Sequence, residues 1–405
     1  MKEAVKPIGE PVDFGDIFLC LPAYFPAGRI EGEYLMMKRA CVLVLSFVTL
    51  AVLIGPFFSG NAVPAQAMGK TTTYNLYFGD LHSHTGYSDG YGTPAQAYAS
   101  GIVGGADFLA TTDHTKWISP TQWIQTKEAA ANATSKNFVA IPATEYWLEG
   151  NLGELNIYGD SDLPPIYTTF GNKQVRLQNF YDWLGTQTGV SAQWNHPDYM
   201  TQAVYNNFGY YSQSRDKGLN IFEIHNYGSW LWQKVWSYES YYVTALDNGW
   251  HVMPAANSDT HATNWISGYE PRTVLLAPSL TASDLYAAMS ACRGYATLDQ
   301  NLRVSYSVNG AVMGSILSPA TAAYSASIHI VDPDGVASDA ITLVEVVSDG
   351  GKVVASMPGS GTTFDWTVTL DSQTAHYFYL RISTASNVSG GPGVTAWTAP
   401  VWTGR

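Results

Sequence analysis

Basic residues are scarce in this chain. Lys and Arg number 20 in 405 residues against 33 Asp and Glu, for a formal net charge of −13. No Lys/Arg cluster interrupts that acidity, which argues against nucleic acid and other polyanions as partners, because these need a basic face. Cysteine is scarcer still, with three. Cys20 and Cys41 lie upstream of residue 68 and Cys292 stands alone beyond it, so the folded part has no internal disulfide and must draw its stability from core size or metal. Gly-rich phosphate loops, a Ser-His-Asp arrangement, Cys clusters, internal repeats and low-complexity tracts are all missing. Charged residues make up 13% of the chain and hydrophobic ones 46%, a globular composition long enough for two domains and a large core.

The first 67 residues do not read as fold. Met36-Met37-Lys38-Arg39 is followed by the apolar run ACVLVLSFVTLAVLIGPFF and by SGNAVPAQA. A basic start, an apolar middle and an A-x-A ending describe a secretory signal peptide cleaved after Ala67, and so an exported protein. The alternative is an uncleaved membrane anchor, since the run is nearly long enough to span a bilayer. Beyond that segment no membrane association is expected. The true start then falls at Met36 or Met37. Removing residues 1–67 takes away six acids and five bases, leaving 27 acids, 15 bases and a net charge of −12.

From 74 to about 300, short apolar runs alternate with amphipathic stretches. Strand-like runs include YNLYF (74–78), ADFLAT (106–111), NFVAIPA (137–143), VSAQW (190–194), LNIFEI (219–224) and HVMPAA (251–256). Helix-like segments such as TPAQAYASGIVG, LQNFYDWLGTQTG and TASDLYAAMSACRG lie between them; the last is capped by Thr281 or Ser283 and packs Cys292 on its apolar face. Alternation of this kind predicts an α/β fold on a parallel sheet, open or closed into a barrel. An aromatic insertion occupies about 199–242. From 301 to 405 the strand-like runs are bounded by NG, DPDG, SDGG and SGG without helical periodicity, which predicts an all-β sandwich domain. No ligand cluster is recognisable there, so packing or association is its expected role.

The chemistry-bearing residues sit just after the apolar runs. YNLYFGDLHSH leads to His82, His84 and Asp89; FLATTDH to Asp113 and His114; FVAIPATE to Glu145; AQWNHPD to His196; IFEIHN to Glu223 and His225; MPAANSDTH to Asp259 and His261. Six of the nine histidines fall in these motifs. In a (β/α) barrel the strand ends converge on one face, where active sites are built. Mixed His and carboxylate donors suit Zn, Mn or Fe better than Ca or Mg, and so many candidates imply two or three divalent ions sharing carboxylates. Such a centre activates water for hydrolysis.

HSHTGYSDG, TTDHT, the Glu of ATE, NHPD and SDTH, in that order and spacing, resemble the successive motifs of the PHP (polymerase and histidinol phosphatase) superfamily over residues 76–300. The resemblance implies a distorted (β/α)7-type barrel, a di- or trinuclear metal centre and phosphoesterase-type hydrolysis. An exported subgroup with FGDLHxHTxxSDG openings includes metallohydrolases acting on carbamate esters. Carried over to this chain, His82 and His84 hold one ion with Asp259, Glu145 bridges to a second ion served by His196, and Asp89, His114 and His261 hold a third. Asp259 and Glu145 are thereby the carboxylates that bridge metals or orient the water they bind. Another histidine is expected in a GHxNxxG-like stretch, but here Gly153-Glu154-Leu155-Asn156 puts Glu154 in its place.

Arg272 and Lys116 are the best-placed cations for an anionic substrate, with His225 a further pocket candidate. Trp117, Trp147, Trp230, Trp232, Trp236 and Trp265 either wall a substrate pocket or form a hydrophobic lid. Asp113, Asp80, Asn195 and Asn257 fit supporting roles. The expected protein is thus an exported metal-dependent hydrolase of small-molecule esters, a phosphoesterase or an enzyme for carbamate or carboxylic esters. A secreted binding protein is the non-catalytic alternative, and oligomeric state is open.

Overall fold

Burial sorts the strands into two kinds. FLAT (108–111) and RTVLLA (272–277) are buried along their whole length, as in strands covered on both faces, whereas YSASIHIV (324–331) alternates buried and exposed residues. The computed structural model describes residues 73–150, 152–159, 162–165, 167–197, 204–227, 237–319, 323–370, 374–385 and 393–404. The signal-peptide segment and Trp230, Trp232 and Trp236 lie outside the described residues. Among the described residues no helix is long and apolar enough to cross a membrane.

The first part of the chain runs β1 (Asn75–Asp80), α1 (Pro94–Val103), β2 (Phe108–Thr111), α2 (Pro120–Ala133), β3 (Val139–Leu148), β4 (Gly153–Tyr158), α3 (Lys173–Thr186), β5 (Ser191–Trp194), β6 (Leu219–Asn226), α4 (Glu239–Asp247), β7 (Met253–Asn257), β8 (Arg272–Ala277), α5 (Ala282–Ser290) and β9 (Gly294–Thr297). Helices α1 and α2 start alike. TPAQ and SPTQ each place Pro in the first turn and form a capping box, from Thr93 with Gln96 and from Ser119 with Gln122. Each cap contributes about 1 kcal/mol.

The sheet is mixed rather than parallel. β1, β2 and β3 pair parallel, as do β5, β6 and β7, but β4 is antiparallel to both β3 and β5. The reason is loop length: the connection from Leu148 to Gly153 is too short for a crossover and allows only a hairpin. The ladder also fails to close into the expected barrel. β8 pairs antiparallel with β1 on the edge that β7 would need, so β1 is flanked by β2 and β8. Beyond their strands the two ends still meet, through a Ser83–Thr260 bridge and the bonds His84 N to Thr260 O (2.9 Å) and Asp259 N to His82 O (2.8 Å).

The remaining strands are β10 (Arg303–Val308), β11 (Ala311–Val312), β12 (Tyr324–Val331), β13 (Ile341–Ser348), β14 (Lys352–Gly361), β15 (Thr363–Leu370), β16 (Tyr377–Thr384), β17 (Val394–Thr398) and β18 (Val401–Trp402). They form two sheets. β11-β10-β12-β15 stands alone, whereas β14-β13-β16-β17 continues the main sheet because β17 pairs with β9, Trp397 opposite Ala296. That pairing covers the edge of β9, and residues 68–405 make one unit. The sheets face each other through Tyr306, whose hydroxyl donates to Phe378 O (3.0 Å), and through Tyr324, whose ring lies tilted against Phe378 at 5.5 Å.

Candidate metal centre

Strand direction decides which residues meet. The parallel strands β1, β2, β3, β5, β6 and β7 bring His82, His114, Glu145, His196, Glu223 and Asp259 to one end of the sheet. β4 runs the other way, so its beginning lies at that same end. Glu154 pairs with Trp147 of β3, and the next residue, Leu155, with Trp194 of β5.

Glu145 is the focus. Its carboxylate, 1% exposed, lies 3.4 Å from His82 Nε2, 3.1 Å from His84 Nε2, 3.3 Å from His114 Nδ1 and 3.3 Å from His196 Nε2. Asp259 Oδ1 closes the other side, 3.2 Å from His82 Nε2 and 3.1 Å from His84 Nε2. Asp89 lies at the rim, between His84 Nδ1 (3.5 Å), His114 Nε2 (3.6 Å) and His261 Nε2 (3.4 Å), and His261 stacks on His84 at 4.2 Å. Glu154 Oε2 is 3.5 Å from His196 Nε2. Three donor groups result: His82, His84 and Asp259; His82, Glu145 and His196; and His84, Asp89, His114 and His261. The resemblance kept His84 out of the last group; the structure places it there as well. Glu154 stays outside all three and touches them through His196.

A ring of buried groups fixes these donors. His82 Nδ1 meets Glu223 Oε1 at 2.9 Å, which leaves Nε2 for the centre. Glu223 also accepts from Asn257 Nδ2 (2.9 Å), His196 N (2.9 Å) and Asn226 Nδ2 (3.1 Å). Asp113 accepts from Thr85 Oγ1 and Ser88 Oγ, both at 2.6 Å, and Ser88 Oγ lies 3.3 Å from His84 Nδ1, so Asp113 acts on His84 through a hydroxyl. Asn195 donates to Glu145 Oε1 (2.7 Å), and Asp80 accepts from His82 N (2.9 Å) and Ser258 N (3.2 Å). Asn257 Oδ1 serves backbone and hydroxyl donors, taking Leu81 N (3.0 Å) and Thr273 Oγ1 (2.9 Å). Tyr205 pins the β4 end: its hydroxyl accepts from Glu154 N (3.0 Å) and Asn195 N (3.2 Å), and its ring fills the space a side chain on Gly153 would need. His196 and Asp259 both carry positive φ, at 25° and 48°. Such backbone costs about 1–3 kcal/mol per residue and persists where surrounding bonds impose it.

The donors fit metal ions better than each other. His82 Nε2, His84 Nε2, His114 Nδ1 and Asp259 Oδ1 are buried without a hydrogen-bond partner, because their short contacts are misaligned for hydrogen bonding. Burial alone would pull the imidazolium pKa values down. The carboxylates overcome it, pushing His84 up to about 10 and His196 to about 9. Burial would conversely raise Glu145 and Asp259, but the facing histidines hold both below the ordinary carboxylate range. Glu154 goes the other way: burial, then the Glu145 charge, raise it. Nitrogen and carboxylate donors in these numbers suit borderline divalent cations.

The expected substrate contacts divide. Arg272 is 6% exposed and donates to the carbonyls of Tyr269 (2.7 Å), Pro271 (2.8 Å) and Ile266 (3.4 Å). Those bonds clamp its own loop. Lys116 is exposed, its ammonium 3.6 Å from the Trp147 ring centre and 4.2 Å from that of Trp117. Trp117, half exposed, meets His114 edge-on at 4.9 Å, so this pair stands at the rim of the donor cluster. His225 is buried in β6 past a register shift and belongs to none of the donor groups. Trp265 is buried and donates to His84 O (3.0 Å), a support rather than a wall.

Three solved structures are similar in outline. A two-domain protein containing a predicted PHP-like metal-dependent phosphoesterase from Bacteroides vulgatus shares 13% identity over 81% of this chain and 96% of its own, with a TM-score of 0.44. A candidate metal-dependent phosphoesterase from Bifidobacterium adolescentis shares 13% over 46% and 88%, with a TM-score of 0.29. An amidohydrolase from Chromobacterium violaceum, with bound sulfate and no metal, shares 16% over 45% and 87%, with a TM-score of 0.31. No family model and no curated protein matches the chain. At these similarities the functional reading rests on the site's own geometry.

Proposed function

We propose that this protein is an exported metal-dependent hydrolase of small-molecule esters, with phosphoesters as its leading substrate class. The observation that carries the reading is Glu145, a buried carboxylate within 3.4 Å of four imidazole nitrogens. His82, His84, Asp89, His114, Glu145, His196, Asp259 and His261 would hold two or three Zn, Mn or Fe ions, with Glu154 completing the environment of His196. Such ions supply Lewis acidity and make water a nucleophile near neutral pH. The chain itself does the positioning. Glu223 and Asp113 hold His82 and His84 in place, Glu145 and Asp259 keep their negative charge where donors converge, and Lys116 at the rim offers a cation to an anionic group. Because the Arg272 guanidinium already bonds three carbonyls, the role of holding an anionic group falls mainly to Lys116 in this reading. That favours keeping carbamate or carboxylic esters as the second reading, since the same centre can attack carbonyl carbon.

Purified protein loaded with Mn, Zn or Fe and assayed on aryl phosphate mono- and diesters beside aryl carboxylic and carbamate esters tests this. Phosphoester turnover is expected. Turnover of carbonyl esters alone transfers the assignment to the second reading, and no turnover on any of them with any metal rejects the hydrolase.

A further inference from the structure

Away from the histidines, a second set of ligand-type side chains meets where β9 leaves the sheet. Asp299 follows β9, Asp332 follows β12 and Asp339 precedes β13, and each places one oxygen within 4.8 Å of the others. The register explains the meeting. Arg303 of β10 pairs with Val331 of β12, so the residues just outside the ladder, Leu302 and Asp332, come together, and with them the 299–301 turn.

An acidic cluster alone means little, but this one contains orphaned atoms. Asp332 is 2% exposed; its Oδ1 accepts from Asp334 N (3.0 Å), whereas its Oδ2 is buried with no hydrogen-bond partner. Asn301 repeats the pattern, with Nδ2 donating to Asp334 Oδ1 (2.9 Å) and a buried, unpartnered Oδ1. No Lys, Arg or His forms a salt bridge with Asp299, Asp332 or Asp339 among the described residues. Burying an unpaired carboxylate among others is unfavourable unless a cation neutralises it. Burial and then the Asp299 charge push Asp332 up to about 6. Every donor is oxygen, with neither imidazole nor thiolate, which is the chemistry of a hard cation and unlike that of the histidine centre.

We propose that Asp299, Asp332 and Asp339, with the side-chain oxygen of Asn301, bind a calcium ion that ties the exit of β9 to the β12–β13 connection. The site makes the last segment of the main sheet and the separate β11-β10-β12-β15 sheet a calcium-stabilised junction. It is independent of the hydrolytic reading.

The test is calorimetric titration and thermal melting of EGTA-stripped full-length protein with CaCl2. Wild type should bind one equivalent and gain about 5 °C in Tm at a hundredfold excess over Kd. The His84→Ala variant should keep that binding. Asp332→Asn should lose it while melting in EGTA at or above wild type, since one of the crowded charges is gone. Asp339→Asn, at a partly buried position of the cluster, should weaken Kd at least about tenfold, the scale expected for a lost ligand contact. The proposal fails if wild type binds no calcium at millimolar concentration, if both Asn variants bind as wild type does, or if Mg2+ binds more tightly than Ca2+.

Discussion

His82 and Glu223 stand 2.9 Å apart, Nδ1 to Oε1, with both side chains fully buried. One imidazole nitrogen is thereby spent on orientation and the other, Nε2, is left facing Glu145 and Asp259. Glu223 touches no expected metal position itself. Its five hydrogen-bonding partners, His82, Gln193, His196, Asn226 and Asn257, make it the part that fixes where the centre sits.

Glu223→Gln should therefore leave the protein folded but lower metal affinity or kcat by about 10- to 100-fold, as loss of a histidine-orienting carboxylate does. Metal titration alongside circular dichroism checks it. Unchanged affinity with unchanged kcat would show that His82 is held by something else.

Arg272 and Lys116 should separate cleanly. Arg272→Lys forfeits bonds from a buried cation to three carbonyls and should cost about 1.5–3 kcal/mol of stability with KM nearly unchanged. Lys116→Met should leave Tm alone and raise KM for anionic esters more than for neutral ones. Melting curves and KM values on one anionic and one neutral ester decide both. A tenfold KM rise in Arg272→Lys at constant Tm would return Arg272 to the substrate.

The sequence made the donors legible because each follows an apolar run, and that placement survives in the structure for His82, His114, His196 and Asp259. Glu145 was legible only as a residue after NFVAIPA; β3 in fact runs on to Leu148 and carries it within the strand. Closure of the ladder was not legible, since nothing in TVLLA says that β8 turns antiparallel and takes the free edge of β1. Glu223 was visible as a carboxylate in LNIFEI, yet all its partners but Asn226 are 27 to 141 residues away in sequence. The carboxylates of 299–339 went unseen for the same reason: DPDG reads locally as a turn, and only the β10–β12 register brings Asp299 to it.

Glu154 stands where the resembled motif has histidine, beside His196. Glu154→His should hold metal at least as well as wild type, whereas Glu154→Ala should weaken the ion nearest His196 and lower kcat by about 10-fold or more. Metal equivalents per chain and kcat for the two variants settle its role. Full activity in Glu154→Ala would make it a bystander.

Asp332 carries a pH signature. Its pKa rises from 3.8 to about 6 on folding, so the folded chain holds that proton more tightly than the unfolded one. Wild type in EGTA should lose stability relative to Asp332→Asn as pH rises from about 4 to about 6, and the gap should stay constant above. Saturating calcium should reverse the order above pH 6. Denaturant midpoints across that range measure it, and a flat difference would remove Asp332 from the account.

The most direct measurement is transition-metal content by elemental analysis, on wild type and His84→Ala, each loaded with Mn, Zn or Fe and then desalted. His84 is common to two of the donor groups. Two to three equivalents in wild type, falling by at least one in the variant together with hydrolysis, is the predicted result. Less than one equivalent in wild type, or an unchanged count in His84→Ala, would contradict a multinuclear centre built around Glu145.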